Sequence, residues 1–295
     1  MGKEIKLCHR GKTGECPINE FDLNSMVENP AIIMVAKRGS GKSWVVRAVL
    51  NHFSKTVPFG IIICPTDKMN GFYSSFVPDS YIYYEFKTEV IEKVLGRQQD
   101  IIEKGKIRKA MGKKTNPKMF IVMDDCLSSK GEWAKDPKIH ELLFNGRHYQ
   151  IMYILTMQFP LGIKPELRTN FDYIFLLADD NINNLKRLYD HYAGVFPNFE
   201  AFRQVFSQLT SDFGSMVIVN RECKSNLFEK IYYYKAPDLS KNTEYIGGNQ
   251  YIKFHNDNYN ENWNKHTRTS FDMDYAMSKK TLQHKKLNVL KLKNE

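Results

Sequence analysis

The chain has 295 residues, 42% of them hydrophobic, and its 43 Lys and Arg against 33 Asp and Glu give a net charge of +10. That apolar content excludes a disordered chain, and the basic surplus favours a polyanionic partner, nucleic acid first, through counterion release. Five scattered cysteines exclude a disulfide framework and suit a reducing compartment. No apolar stretch approaches the roughly 18 residues of a membrane span and the start lacks a signal-peptide core, so a soluble, intracellular protein without a membrane segment is expected.

In chain order, a polar lead (1–29) precedes the apolar run Ala31–Val35. Residues 36–43 then read A-K-R-G-S-G-K-S, and a helical-looking segment follows over 44–53. Buried strand, glycine-rich turn and helix start form the context in which this pattern signifies a phosphate-binding loop. Gly39 and Gly41 let the backbone curl so that successive N–H groups, from Ala36, Lys37, Arg38 and Ser40 onward, line one concavity. Lys42 would reach the β- and γ-phosphates, and Ser43 would place its hydroxyl on Mg²⁺. Ala36 stands where such loops usually have their first glycine.

Further strand-like runs appear at 60–64 and 81–85, followed by a long charged helical segment at 88–111 and a basic loop at 112–117. Then come Met119–Met123, 151–156, Tyr173–Leu177, 216–220 and 230–235. Strands apolar at consecutive positions belong to a sheet covered on both faces, and interleaved helices make it a three-layer, mostly parallel α/β sheet with right-handed crossovers. Composition changes near Pro237. The reading is therefore an N-terminal lead (1–29), a P-loop core (30–236), and an extension (237–295) that is rich in Asn, Tyr and Gly and ends in a basic appendage at 278–295.

Met119–Met123 ends in Asp124-Asp125, the arrangement by which a buried strand delivers carboxylates to the ligand-binding edge of an open α/β sheet. Asp124 would hold Mg²⁺, and Asp125 would orient and activate the attacking water. The strand at 151–156 leads to Gln158, whose amide offers the donor and acceptor a γ-phosphate sensor needs, with Thr156 in reserve. In the additional-strand class of P-loop NTPases this strand lies between the other two. Such ATPases, when multimeric, complete the site with an arginine from the next subunit. Arg147 and Arg168 are the candidates, while Arg38 could serve its own subunit.

Together AKRGSGKS (36–43), FIVMDDC (120–126), GRHYQIMYILTMQ (146–158) and LRTNFDYIFLL (167–177) resemble the FtsK–HerA superfamily, most closely the poxvirus-like genome-packaging ATPases of large double-stranded DNA viruses. The resemblance covers roughly residues 30 to 235 and has no counterpart for the tail. It implies a RecA-like ATPase core using ATP and Mg²⁺ in a homo-oligomeric ring, a pentamer or hexamer. That ring would translocate double-stranded DNA into a preformed capsid with capsid or portal partners, in the host cytoplasm at the virus assembly site or with the virion. Another DNA pump or helicase built on the same core, or a nucleotide-gated scaffold with little turnover, is the alternative.

Overall fold

The computed structural model describes residues 4–9, 12–126, 132–221, 229–242 and 244–260. An antiparallel hairpin, β1 (Glu4–His9) and β2 (Lys12–Pro17), comes first. The strand β3 (Ala31–Val35), helix α1 (Lys42–Phe53) and strand β4 (Phe59–Ile63) follow, then the short α2 (Asp67–Asn70) and β5 (Ile82–Tyr83). The long α3 (Thr88–Ala110), β6 (Met119–Met123), α4 (Pro137–Asn145), β7 (Ile151–Met157), short α5 (Pro165–Arg168) and β8 (Tyr173–Leu177) continue the chain. It proceeds through α6 (Ile182–Tyr192), α7 (Phe199–Leu209), β9 (Gly214–Val219), β10 (Ile231–Lys235) and α8 (Asn249–Asn258).

Eight strands form one sheet in the order β10-β9-β8-β3-β7-β6-β4-β5. β7 lies between β3 and β6, and all pairings from β8 to β5 are parallel. This is the additional-strand, RecA-like P-loop NTPase arrangement expected from the sequence. β9 and β10 depart from it, pairing antiparallel with β8 and with each other. Two helices separate β8 from β9 where one separates the parallel strands. The chain therefore descends along α6, climbs along α7 and re-enters the sheet from the edge it had left.

Alternate residues of each strand feed two cores. One face carries Ile33, Ile121, Leu155 and Leu176 and is covered by residues of α3, α4, α6 and α7. The other carries Ile32, Val122, Ile154 and Phe175 under α1. The central strands are buried on both faces, hence the unbroken apolar runs in the sequence, whereas the edge strands β5 and β10 are partly exposed.

The segment read as an N-terminal lead has structural work at its far end. Phe21 is buried against Tyr173, Phe175 and Tyr232, its backbone N–H donates to Tyr233 O at 2.8 Å, and Glu20 bridges Tyr233. This cover protects the edge strand β10 from open pairing. The described residues up to His255 form one compact unit, and the composition change at Pro237 falls inside it. Arg47 donates to Asn242 O, Tyr81 stacks on Tyr251 at 3.8 Å, and the Tyr251 hydroxyl donates to Gly60 O at 3.0 Å. The lysine-rich stretch at 278–295 lies outside the described residues. No helix among the described residues is long and apolar enough to cross a membrane.

Candidate nucleotide site

The parallel strands β3, β6 and β7 end side by side at one edge of the sheet, where an open α/β fold collects its ligand-binding loops. The turn after β3 starts with Ala36, buried and still in the ladder through its N–H to Met157 O at 2.9 Å. An alanine serves at this position because it follows the strand directly and does not adopt a left-handed backbone. The loop bends beyond it, with Gly39 at φ +81° and Gly41 at φ +92°. The Ser40 hydroxyl donates to Lys37 O at 2.6 Å and closes the turn. Lys42 opens α1, so the N-terminus of that helix borders the cavity, with Gly41, Lys42 and Ser43 in its lining.

Lys42, Asp124, Asp125, Gln158 and Thr156 come together there. The Lys42 ammonium lies 3.0 Å from Asp124 Oδ1 and also pairs with Asp125. Burial opposes that charge, but the two carboxylates outweigh it and hold the Lys42 pKa above the usual lysine value. Gln158 Nε2 donates to Asp125 Oδ2 at 2.8 Å. The buried Thr156 hydroxyl donates to Asp124, and Asp125 N–H donates back to Thr156 Oγ1 at 3.3 Å. Asp125 adopts φ +52°, a left-handed conformation that aspartate tolerates better than most residues. Both carboxylates line the cavity around Lys42, Asp124 almost fully buried (3% exposed) and Asp125 more open.

Two contributors are absent from the sequence motifs. Tyr73, fully buried, donates its hydroxyl to Asp124 Oδ2 at 3.0 Å and also meets the Ser43 side chain. Burial first, and then the Asp124 charge, push the Tyr73 pKa well above the ordinary phenol value, so it remains a donor. The turn that carries it is fixed by Asp67, whose carboxylate accepts Tyr73 N–H at 2.6 Å and Ser74 N–H at 3.2 Å. Phe213, at φ +58°, stands over the phosphate loop; a side-chain carbon at Gly41 would lie 3.5 Å from its ring. With Pro237 and Ala236 it forms an apolar wall of a cavity of about 830 Å³ whose floor is Gly39, Gly41, Lys42 and Ser43. That volume is of small-ligand size.

The donor set suits a hard divalent cation. Ser43 and Asp124 share the Tyr73 hydroxyl as neighbour, and Mg²⁺ prefers such oxygen ligands supplemented by water and phosphate. The Lys42 ammonium already occupies the position between the two carboxylates that calls for positive charge.

The remaining sequence candidates lie elsewhere. Lys37 and Arg38 border the cavity, Lys37 paired with Asp180 at 2.6 Å on the surface. Arg147 precedes β7 at the opposite edge of the sheet and pairs with the buried Asp172, which Arg221 also approaches at 3.2 Å. Arg168 is 9% exposed; its Nε and Nη2 donate to Ile163 O at 3.1 and 2.9 Å, and its guanidinium lies over Tyr192. Neither arginine reaches the cavity of its own chain.

The profile of the poxvirus A32 protein family matches residues 18–198, the stretch that holds every motif above. The chain is 47% identical to protein L437 of Acanthamoeba polyphaga mimivirus over 83% of this chain and 85% of that one. It is 33% identical to protein 075L of Invertebrate iridescent virus 6 over 86% of this chain and 98% of that one. Among solved structures it is similar to the genome packaging NTPase B204 from Sulfolobus turreted icosahedral virus 2 in complex with AMPPCP, with a TM-score of 0.49 and 14% identity over 72% of this chain and 100% of that one. Phosphate loop, paired aspartates and sensor strand thus fall within one matched stretch: the chain belongs to the poxvirus A32 protein family.

Proposed function

We propose that this chain is a MgATP-hydrolysing motor that moves double-stranded DNA during viral genome packaging. The observation that carries the reading is the convergence of Lys42, Asp124, Asp125 and Gln158 on one cavity beside the glycine-rich turn, in a chain of the A32 family. The N–H groups of residues 39–43 and the α1 N-terminus bind the phosphates, and Lys42 leaves its carboxylate partners to join them. Mg²⁺, held by Ser43 and Asp124, supplies charge neutralisation on the phosphates when bound. Asp125 accepts the proton of the attacking water, and Gln158, within 2.8 Å of that carboxylate, orients water and terminal phosphate together. The apolar wall around Phe213 offers a stacking surface for the base.

The reading extends to a ring in which a neighbour's arginine completes each site, acting at the virus assembly site with capsid or portal proteins. Hydrolysis by the full chain, with and without long duplex DNA, tests it. Stimulation by DNA is expected to be several-fold, to weaken with salt, and to vanish in Lys42→Ala. Asp125→Asn should retain nucleotide binding and lose about a hundred-fold or more in turnover, the scale of a general base. Steady hydrolysis indifferent to DNA would sink the motor. Binding without turnover in the wild type would favour a scaffold.

A further inference from the structure

The helix α3 is longer than the sheet it packs on. Its 23 residues span about 35 Å at 1.5 Å each, whereas the five residues of β6 span about 17 Å. Gln98 marks where the sheet ends: fully buried, its side-chain amide donates to Pro117 O and Tyr149 O, both at 2.8 Å, just before β6 and β7. Everything from residue 99 to the helix end at 110, about 18 Å, therefore overhangs the edge opposite the nucleotide cavity.

The end of this arm is a built structure. Gly112, at φ +73°, closes the helix with paired bonds from Lys113 N–H to Arg108 O at 2.9 Å and Gly112 N–H to Lys109 O at 3.0 Å. The chain then folds back, since a side-chain carbon at Gly105 would lie 3.8 Å from Thr115, and Asn116 donates to Thr56 O at 2.9 Å. Between Glu103 and Asp124 the sequence has no acidic residue. Lys104, Lys106, Arg108, Lys109, Lys113 and Lys114 are all exposed, and none forms an ion pair with a described residue. The last turns of the helix from Lys104, about 10 Å, and the loop after it carry six cations and no acidic side chain, with no ion pair to a described residue, a self-repelling surface. It is complementary to a polyanion.

We infer that the overhanging arm, residues 104–114, is the surface that holds the phosphate backbone of double-stranded DNA. The inference rests on the DNA-motor reading and adds where the duplex sits. The contacts are lysine-rich and carry no base-reading geometry, so they are sequence-tolerant, as a moving contact requires. Phosphate contacts on the arm lie a full strand length from the nucleotide, so the two binding events are separable by mutation.

The test uses the full chain with Lys104, Lys106, Arg108, Lys109, Lys113 and Lys114 all changed to Gln, beside a variant with its five lysines changed to Arg. Affinity for a 40-base-pair duplex is measured across a salt series, with a fluorescent ATP analogue and thermal melting as folding controls. The Gln variant should melt like the wild type and bind the analogue within about two-fold. Each lost phosphate contact lowers the salt slope by about 0.9, so a fall of about 3 or more is expected, while the Arg variant keeps the wild-type slope. A Gln variant with an unchanged slope overturns the assignment and leaves the motor reading intact. A wild type that binds no duplex at any salt sinks the motor reading itself. If the slope is unchanged but self-association or capsid-protein binding is lost, the arm docks protein through exposed Ile107 and Met111, and the DNA assignment falls.

Discussion

Asp124 is gripped on both carboxylate oxygens, by Thr156 and Lys42 on one and by Tyr73 on the other. If Asp124 and Ser43 hold the cation as proposed, a carboxylate held this way is already oriented for it, and Tyr73 would be a positioning residue for that pair. Tyr73→Phe removes one buried donor to a charged acceptor, a change on the scale of about 1.5–3 kcal/mol, without opening a cavity. Its expected signature is about ten-fold weaker nucleotide binding in Mg²⁺ with unchanged binding in chelator, read by titrating a fluorescent ATP analogue both ways. Equal losses with and without Mg²⁺ would mean that Tyr73 merely supports the fold. The sequence showed Lys42, Asp124, Asp125 and Gln158 because each follows a recognisable buried strand in a fixed order. Tyr73 lies in the irregular stretch between β4 and β5, where no periodicity points inward. Its role becomes visible only when the Asp67 turn brings it back over the strand ends. Phe213 was hidden for the same reason, since an exposed aromatic in a loop carries no address in the sequence.

At the level of elements, strand positions and the parallel direction of the central strands were legible, and the direction of β9 and β10 was not. Runs such as Met119–Met123 and Tyr173–Leu177 are apolar at every position because both faces are covered, and their limits coincide with the observed strands. Direction depends on how many helices intervene, so the antiparallel entry of β9 and the cover of β10 by residues 19–21 could not be read from apolar pattern. The pairing of β4 with β6 offers a direct check on packing. Gly60 faces Phe120 across the ladder, and a methyl group at Gly60 would sit 2.3 Å from the Phe120 ring. The ring is itself fully buried and cannot swing aside, so Gly60→Ala overpacks the layer under α1. A loss of about 1–3 kcal/mol is expected, lowering the melting temperature by a few degrees or more. Thermal unfolding followed by circular dichroism measures it. Gly60 lies at the β4 end remote from the nucleotide, so binding of the ATP analogue at low temperature should be unaffected. An unchanged melting temperature would show that the ring and strand shift cheaply.

On the scale of the whole molecule, the cavity brings together Lys42, Ser43, Asp124, Asp125 and Gln158, but its own chain supplies neither Arg147 nor Arg168 to it. The two arginines differ in what their removal does to the fold. Arg168 is buried, and its loss strips Ile163 O of two donors, so Arg168→Ala should melt earlier and lose activity through instability. Arg147 is about half exposed, and its partner Asp172 retains Arg221 and the Ala31 N–H at 2.8 Å, so Arg147→Ala should fold normally. Arg147 is thus free to serve a neighbour. A head-to-tail ring joins different patches of successive copies, which lets one edge of a subunit face another edge of the next. If Arg147 completes the neighbour's site, Arg147→Ala and Lys42→Ala are each nearly inactive alone, by about a thousand-fold for a trans arginine. Mixed together they should regain a measurable fraction of wild-type hydrolysis, because an Arg147→Ala chain keeps its phosphate loop and its Lys42→Ala neighbour keeps the arginine. Mixing the two at a concentration that sustains wild-type turnover gives the answer. Activity restored only in the mixture assigns Arg147 to the subunit boundary, whereas a mixture as inactive as its components removes it from the catalytic assembly.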